Sequence, residues 1–471
     1  MKKRTCRTIA AGLSAVMVMG MLGGCKVAVS EEHGETDSGT GSVSGTTEKY
    51  GKELTNLDLD GTLNGQYEGQ TLTVPVSSGD FENAVNDVVP IFEELSGADV
   101  VVESIPSDQL TDKLQLDLNN TQKYDVILAP IAALHSYASA DKIEDLDPLI
   151  EEYASEGYDL EDFIPGLMET YGYYEGSLVA IPYKPDVELL FYRKDIFEDP
   201  DVQKAYKEKY GTDLRVPETN DEMMQVAEFF TKSKNPDSPV EYGYSTNMIK
   251  STTRLLFFNR GGDDIDENMQ PNMNNAEGIK ALDYVLKLQE YAPAEWLQMG
   301  WDEANQFFAN GNAAMMEQWP GLWLTCQAEG SAVKDKVGVA MAPGGTPVLG
   351  GWGAAVASGS ENKELAWKFI EFMTSKDGEL LKIENTMDPC RTSTYEIPGV
   401  AESSELYDAL MESLNHARTL ADVDVPYISS KLCDVMDSNI QEALERSVSP
   451  EQALKNMEKE FLTEMEQVAD E

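Results

Sequence analysis

The pattern of hydrophobic and polar positions changes near Gly69, where a long polar stretch gives way to alternating strand-like and helix-like segments. The strand-like segments alternate apolar and polar residues or are rich in β-branched residues, and the helix-like segments repeat apolar residues on one helical face. Strands are predicted at 72–76, 100–102 and 124–128, with helices at 81–95 and 110–118 between them. This β-α-β-α-β order predicts an α/β fold with a parallel sheet and right-handed crossovers.

The rest of the chain continues this alternation. An apolar strand is predicted at 183–192, and helices are predicted at 217–230, 361–373 and 450–465. Single hydrophobic cores stop growing at about 250–300 residues, so a chain of 471 residues is expected to form more than one core. Ligands of parallel sheets bind beyond the carboxyl ends of the strands, and the first such ends are predicted at Ser77–Asp80 and Ala129–Ala133.

The composition excludes several classes of partner. The chain has 36 Lys and Arg against 84 Asp and Glu, a formal net charge of -48. Nucleic-acid binding depends on basic side chains that neutralise phosphates, and binding to anionic lipid requires a basic patch. We therefore expect this acidic chain to bind neither nucleic acid nor an anionic lipid surface. With 3 His and 5 Cys, a zinc site or a disulfide framework has little material. We expect no metal, no cofactor and buried thiols at Cys326, Cys390 and Cys433, with a single bridge left open.

The first 25 residues have the layout of a secretory signal. Four basic residues precede an uncharged, mostly apolar segment at 8–24, which is too short and too glycine-rich at its end for a membrane span. The signal ends in Leu22-Gly23-Gly24-Cys25, which resembles a bacterial lipobox, and this resemblance implies that Cys25 carries lipid. Stable anchoring requires two or more acyl chains. Residues 26–66 are rich in Gly, Ser, Thr and acids, and we interpret them as a flexible linker between lipid and folded protein.

Five short stretches after the linker carry recognisable motifs. They are Tyr173–Tyr183 (YYEGSLVAIPY), Leu190–Phe197 (LFYRKDIF), Phe307–Met315 (FFANGNAAM), Ser360–Ile370 (SENKELAWKFI) and Pro389–Ser393 (PCRTS). Together they resemble the extracellular solute-binding proteins, the family that includes bacterial maltose-binding proteins, the receptors of ABC sugar importers. Arg193 stands where that family usually has Asn. The stretches span nearly the whole mature chain in the family's order.

The resemblance implies a two-lobed fold of the type II periplasmic-binding-protein class, with a ligand cleft between lobes that are joined by hinge segments. The first lobe is expected to comprise 67–182 and 337–391, and the second lobe 183–336 and 392–471. Hinges are expected at Pro182–Asp186 and near residues 336 and 391.

A sugar offers hydroxyl groups and flat C–H faces, so its receptor needs acids or amides and planar side chains. The turn that contains Ser77 and Asp80 matches the family's first binding loop, and Asp186 lies where the resemblance places a ligand-binding acid. Trp319 and Trp323 stand where the family often has a Gly-Pro-Trp that stacks on sugar, and Trp319 is preferred although the sequence leaves the choice open. Trp352, in a Gly-rich loop, is expected to face ligand. The remaining candidates are Tyr183, Asn247, Arg391 and Tyr427.

We therefore expect a lipid-anchored, monomeric, extracellular receptor that captures a carbohydrate, most simply an oligosaccharide, and delivers it to ABC permease subunits. Two alternatives stay open. An extracellular glycosidase needs only two carboxylates and leaves no local motif. A binding protein for a non-sugar solute such as a polyamine would use the same Trp residues around a cation. The leading interpretation assigns no catalytic residue.

Overall fold

The computed structural model describes residues 45–47, 51–164, 166–247, 250–266, 268–384, 387–398, 400, 405–418 and 429–469. The signal segment with Cys25, and the candidate Tyr427, lie outside the described residues.

Strands and helices alternate along the described chain. The strands β1 to β13 are Gly45–Thr46, Glu53–Leu54, Thr71–Ser77, Asp99–Ile105, Val126–Pro130, Tyr173–Tyr174, Ser177–Leu178, Ile181–Lys184, Leu189–Arg193, Tyr242–Ser245, Ala313–Gln318, Val337–Met341 and Trp352–Val356. The helices α1 to α15 are Asp80–Ser96, Ser107–Asn119, Ile131–Ser139, Asp147–Tyr153, Lys194–Phe197, Pro200–Tyr210, Asn220–Phe230, Lys250–Asn259, Ala276–Leu288, Trp301–Ala309, Leu322–Gln327, Lys363–Thr374, Lys376–Glu384, Thr392–Tyr395 and Glu405–Leu414. Two C-terminal helices follow at Ser429–Leu444 and Pro450–Ala469, and single turns of 3-10 or π helix lie at Leu160–Asp162, Met168–Gly172 and Ala294–Gln298.

The first lobe is built on the β-α-β-α-β unit predicted from the sequence, which the structure confirms as β3, α1, β4, α2 and β5. β3 and β4 pair in parallel, and β13 lies between β5 and β8, antiparallel to both. The backbone amide of Asp125 donates to the carbonyl of Thr73 at 3.0 Å, which places β5 beside β3. Pro130 at the end of β5 and Lys184 at the end of β8 both pair with Trp352 at the start of β13, so these three positions share one edge.

The second lobe is built on a four-stranded sheet in the order β10-β11-β9-β12. β10 and β11 are parallel, and β9 runs antiparallel to both β11 and β12. Ser245 and Gln318 therefore end their strands at the edge where Leu189 begins β9. One face of this sheet, which includes Leu190 and Met315, packs in a second hydrophobic core with the helices around it. The other face, which includes Phe191 and Met316, belongs to the large core that continues into the first lobe.

The predicted strand at 183–192 is wrong as a single element. The run divides into β8 and β9, which belong to different sheets. Pro185 lies between them, and a proline cannot donate to a strand ladder. The segment between the two strands instead crosses from one lobe to the other.

The expected start of the returning first-lobe segment at 337 needs correction. Val337–Met341 pairs with β9 along its whole length, so this strand belongs to the second sheet. The chain re-enters the first sheet only at Trp352. The loop at 342–351 makes that crossing and lies beside the first one, because Val187 bridges Leu349 and the amide of Gly350 donates to the carbonyl of Asp186 at 2.8 Å.

The flexible linker predicted over 26–66 ends earlier than expected, because residues 51–66 are part of the folded structure. Four leucines in this stretch are buried in the first core: Leu54, Leu57, Leu59 and Leu63. The amide of Asn56 also donates to Asp377 on α13 at 2.6 Å. Gly, Thr and acidic residues dominate the composition of this stretch, but its regularly spaced leucines are enough to attach it to the core.

The three cysteines of the described chain, Cys326, Cys390 and Cys433, form no disulfide with one another. Cys326 and Cys390 are buried as expected, and Cys433 is partly exposed. Within the described ranges, no helix combines the length and apolarity needed to cross a membrane.

Candidate ligand-binding site

The first lobe presents a lysine and an acid at the edge where its strands end. β3 ends at Ser77, and α1 begins at Asp80 after Gly79, whose φ of 98° is one that glycine adopts without strain. The ammonium of Lys184, at the end of β8, lies 3.0 Å from Asp80 Oδ2 and 3.6 Å from Asp186 Oδ1. Lys184 thereby connects the start of α1 with the first crossing segment.

Asp388, on the chain segment that follows α13, completes this group of charges. We call Lys184, Asp80, Asp186 and Asp388 the Lys184 cluster. Burial would lower the pKa of Lys184, but the carboxylates of Asp186, Asp80 and Asp388 hold it above its ordinary value. Burial would also raise the pKa of Asp80, yet the nearby Lys184 ammonium keeps it below the usual range. Lys184 therefore stays charged and pairs most directly with Asp80.

The other two acids of the Lys184 cluster behave differently. Burial raises the pKa of Asp186 above its ordinary value, and Lys184 only partly opposes this. Burial raises the pKa of Asp388 to about 8; Lys184 and, less strongly, Lys382 lower it, and the carboxylates of Asp186 and Asp80 raise it. One ammonium cannot compensate three buried carboxylates. Asp388 consequently keeps its proton up to a pH of about 8 unless a further cation approaches it.

Aromatic rings adjoin this cluster. Phe81 packs against Trp352 with ring centroids 4.3 Å apart, and the Lys184 ammonium lies 5.3 Å from the Phe81 centroid. Trp319, just after β11 on the second lobe, lies against the Gly350 backbone, where an added methyl group would come within 2.7 Å of its ring. Trp319 and Trp352 are both only partly buried, so part of each ring remains accessible to a ligand.

The second lobe contributes polar groups at the carboxyl end of β10. Ser245 and Asn247 are fully buried. Asn247 Oδ1 accepts a hydrogen bond from Thr252 at 2.6 Å, whereas its Nδ2 and the Ser245 hydroxyl have no hydrogen-bond partner among the described residues. Buried polar groups are nearly always paired, so a donor and a hydroxyl left unpaired at this edge are suited to a hydroxyl-bearing ligand.

The two lobes approach each other closely at this site. A methyl group placed on Gly321, directly after the Trp319-Pro320 turn, would lie 3.8 Å from Asp80 Oδ2. The second-lobe turn therefore faces the start of α1 on the first lobe. A ligand held here would contact both lobes and the segments that cross between them.

The structure thus brings together Asp80, Asp186, Trp319 and Trp352 of the residues predicted from sequence. Tyr183 is buried beside them, with its ring 6.0 Å from Phe81 and its carbonyl accepting from Lys382 at 2.6 Å. Ser77 is buried at the same strand end, where its hydroxyl lies 2.5 Å from that of Ser107.

Arg391 and Trp323 are placed differently from the rest. Arg391 is completely buried: its Nε donates to the carbonyl of Thr374 at 2.7 Å, and its guanidinium lies 4.2 Å from the Phe163 ring. These contacts use Arg391 for packing within the first lobe, so we leave it out of the site. Trp323 lies one turn beyond Trp319 and packs against the first core.

Sequence reasoning missed Lys184 and Asp388. Lys184 lies within the Tyr183–Asp186 stretch that drew attention, but a single lysine beside a proline carries no motif. Asp388 directly precedes the Pro389–Ser393 motif. Their positions in predicted hinge segments could have identified them, because a hinge segment passes beside the cleft between the lobes.

The described part of the chain contains no group of three or more His, Cys, Asp or Glu side chains arranged to hold a metal ion.

Comparisons with known proteins place this arrangement in a class. Maltose-bound MalE3 of T. maritima matches the structure with a TM-score of 0.70 at 25% identity, covering 84% of this chain and all 100% of that one. A solute-binding protein of Agrobacterium radiobacter K84 in complex with ribitol matches with the same score and identity, covering 83% of this chain and 98% of that one. The fold is therefore that of the two-lobed periplasmic-binding proteins, as the sequence predicted.

The sequence comparisons identify the family. The family model of the bacterial extracellular solute-binding proteins matches residues 76–380, and the chain belongs to this family. A mannitol-binding protein of Pseudomonas aeruginosa is 25% identical over 355 residues, which are 69% of this chain and 75% of that protein. A probable ABC transporter-binding protein of Deinococcus radiodurans is 26% identical over 296 residues, 60% of this chain and 68% of that protein. The family consists of binding components of ABC transporters that act outside the cell.

Proposed function

We propose that this protein captures a carbohydrate in the cleft between its lobes and delivers it to the permease subunits of an ABC importer. One observation carries the proposal: partly exposed Trp rings lie beside buried acids that lack hydrogen-bond partners, at the edges where the strands of the two sheets end. Flat rings suit the C–H faces of a sugar, and carboxylates accept hydrogen bonds from its hydroxyl groups. Relatives and structural neighbours named for mannitol, maltose and ribitol support a polyhydroxylated ligand.

Within this proposal, Asp80, Asp186, Trp319, Trp352 and Asn247 contact the ligand. Ser77 and Tyr183 support the first-lobe wall from beneath. Trp323 and Tyr427 stay predictions: the first packs one turn from the Trp319 position, and the second lies outside the described residues.

In this account, ligand binding closes the two lobes by bending at the two segments that cross between them, one after β8 and the other at 342–351. A ligand shifts a conformational equilibrium only by its preference for one state, and contacts to both walls provide that preference. We place the first lobe at about 51–184 with 352–391 and assign the remaining described residues after 184 to the second lobe. The protein acts as a monomer and returns the sugar unaltered, in contrast to a glycosidase.

The N-terminal cysteine anchors the protein to the outer face of the membrane in this proposal, which rests on the resemblance of Leu22–Cys25 to a lipobox. Cys25→Ser should abolish lipid attachment, because no thiol remains to be acylated. Membrane fractionation and mass spectrometry of the N-terminus measure this directly. A processed mutant that remains as firmly membrane-bound as the wild type would contradict the anchor.

The binding proposal is tested by a thermal-shift screen of neutral sugars, oligosaccharides and polyols, followed by calorimetry on each compound that raises the melting temperature. A ligand at about 100 times its Kd adds ~2.7 kcal/mol to the free energy of unfolding, so a true ligand is readily detected. Chromatography of the recovered ligand distinguishes binding from hydrolysis. Cleavage of the oligosaccharide would favour the glycosidase instead.

A further inference from the structure

The Lys184 cluster has an excess of acid that the rest of the site does not neutralise. Lys184 contacts Asp80 and Asp186, and Asp388 is close enough for the same ammonium to act on its pKa. Three carboxyl groups therefore share the Lys184 ammonium, and the Lys382 ammonium, which also lowers the pKa of Asp388, is itself paired with Glu379. A neutral ligand would leave Asp388 protonated, whereas a cationic ligand would stabilise its carboxylate.

The unpaired atoms of the cluster belong to the most deeply buried acids. Asp388 is 1% exposed and Asp186 is 6% exposed. Both oxygens of Asp388 have no hydrogen-bond partner among the described residues, and Oδ1 of Asp186 has only the Lys184 ammonium at 3.6 Å, which is beyond hydrogen-bond distance. Buried carboxylates are stable when they are paired and hydrogen-bonded. These oxygens need donors, and a positively charged donor would also restore the charge balance.

The surroundings specify more than a cation. The rings of Phe81, Trp319 and Trp352 present apolar faces that suit either a sugar ring or an ammonium group. The unpaired Nδ2 of Asn247 is a donor, so it needs an acceptor on the ligand. A fully protonated polyamine has no acceptor to offer, whereas a hydroxyl oxygen serves this purpose.

We propose that the ligand is a carbohydrate with a protonated amino group, an amino sugar or an oligosaccharide that contains one, whose ammonium binds at Asp186 and Asp388. The inference rests on the proposed carbohydrate-binding function and names its substrate class. The hydroxyl groups contact Asn247 and Asp80, and the ring lies against Trp319 and Trp352.

The proposal is tested by calorimetry with sets of sugars that differ only at one substituent. Glucosamine, N-acetylglucosamine and glucose form one set, and the corresponding galactose and mannose compounds form two more. Chitobiose with free amines, its diacetylated form and cellobiose provide a matched disaccharide set. In at least one set the free amine should bind about tenfold or more tightly than both neutral partners, since a charged hydrogen bond contributes more than a neutral one.

Two variants locate the selectivity. Asp388→Asn should remove most of the preference for the amine while leaving the affinity for the matched neutral sugar within a few fold. Asp186→Asn, at a residue that also contacts the sugar, should weaken binding of the amine by a larger factor than binding of the matched neutral sugar. Asp377→Asn, which changes a buried acid outside the cluster, should leave the preference intact. Circular dichroism verifies that each variant is folded.

The outcomes separate the two proposals. If neutral sugars bind as tightly as their amines, and Trp352→Ala weakens that binding, the amino-sugar inference is overturned but the proposed carbohydrate-binding function is supported. Polyamines that bind when no sugar does would overturn both. Failure of every amine in the sets to bind would also overturn the inference, because the wild-type comparison does not depend on any variant.

Discussion

The first lobe contains two kinds of buried charged group, which differ in whether every charged atom has an ion-pair or hydrogen-bond partner. On α12, Lys368 donates to Glu371 at 3.0 Å and to Thr62 at 2.9 Å, while the other oxygen of Glu371 accepts from the amide of Ser155 at 2.6 Å. On α13, Lys382 pairs with Glu379 in the same i, i+3 arrangement. Each of these pairs sets one ammonium against one carboxylate, and each carboxylate oxygen has a donor.

The Lys184 cluster lacks this completeness, because the Lys184 ammonium serves three acids, while Asp186 Oδ1 and both oxygens of Asp388 have no hydrogen bond among the described residues. The difference indicates what each kind of group does. Closed pairs such as Lys368–Glu371 hold a helix in place, whereas an open cluster at the cleft retains capacity for a partner from outside the chain. Burial and charge alone do not distinguish the two; the count of donors and acceptors does.

The largest expected effect comes from opening a closed pair. Glu371→Ala should lower the free energy of unfolding by about 3–5 kcal/mol, because it leaves the Lys368 ammonium buried without its partner. Urea denaturation measures the change. Glu208→Ala breaks the exposed Lys204–Glu208 pair and should change stability by less than ~1 kcal/mol. Equal losses in both variants would contradict the claim that the buried Lys368 ammonium depends on Glu371.

The next effect concerns the rings beside the open cluster. Trp319→Ala and Trp352→Ala should each weaken ligand binding by about 1–3 kcal/mol, because each removes a flat apolar face from the ligand. Calorimetry on the ligand identified by the screen provides the measurement, and Trp301→Ala on α10 is the matched control. Unchanged affinity in both variants, with the fold intact, would place the ligand elsewhere.

The third effect is a dependence of stability on pH, to which Asp388 contributes. Burial raises the pKa of Asp388 to about 8, above the value of about 3.9 for an unfolded aspartate. Between these values the folded state holds a proton that the unfolded state releases, so this group's contribution to stability falls as the pH rises from about 4 to about 8. Asp388→Asn should remove that fall.

Wild type and Asp388→Asn should accordingly differ little at pH 4, and the variant should become the more stable of the two as the pH approaches 8. Urea denaturation at several pH values provides the comparison. A constant difference across this range would mean that Asp388 is already compensated in the folded state.

The sequence predicted the elements of the first lobe well, because strand and helix periods are local properties. It misjudged the 183–192 run because apolar content outweighed the effect of Pro185. It also assigned residues 51–66 to the linker on composition, although the burial of Leu54 and Leu57 depends on a core formed by distant residues.

The candidate site was predictable only in part. Asp80, Asp186, Trp319 and Trp352 lie at positions that the family resemblance or a Gly-rich loop made conspicuous. Asp388 and Lys184 are about 200 residues apart in sequence, and only the crossing of the chain between two sheets brings their charges together. No local sequence pattern predicts a contact between residues so far apart, so the excess of acid could be identified only from the structure.

The central claim is that an open cluster in a two-lobed cleft binds ligand and closes around it. Small-angle scattering on the protein with and without saturating ligand tests this most directly, with chromatography of the recovered ligand. The account predicts a smaller radius of gyration with ligand bound and an intact ligand afterwards. An unchanged radius together with a hydrolysed product would contradict it.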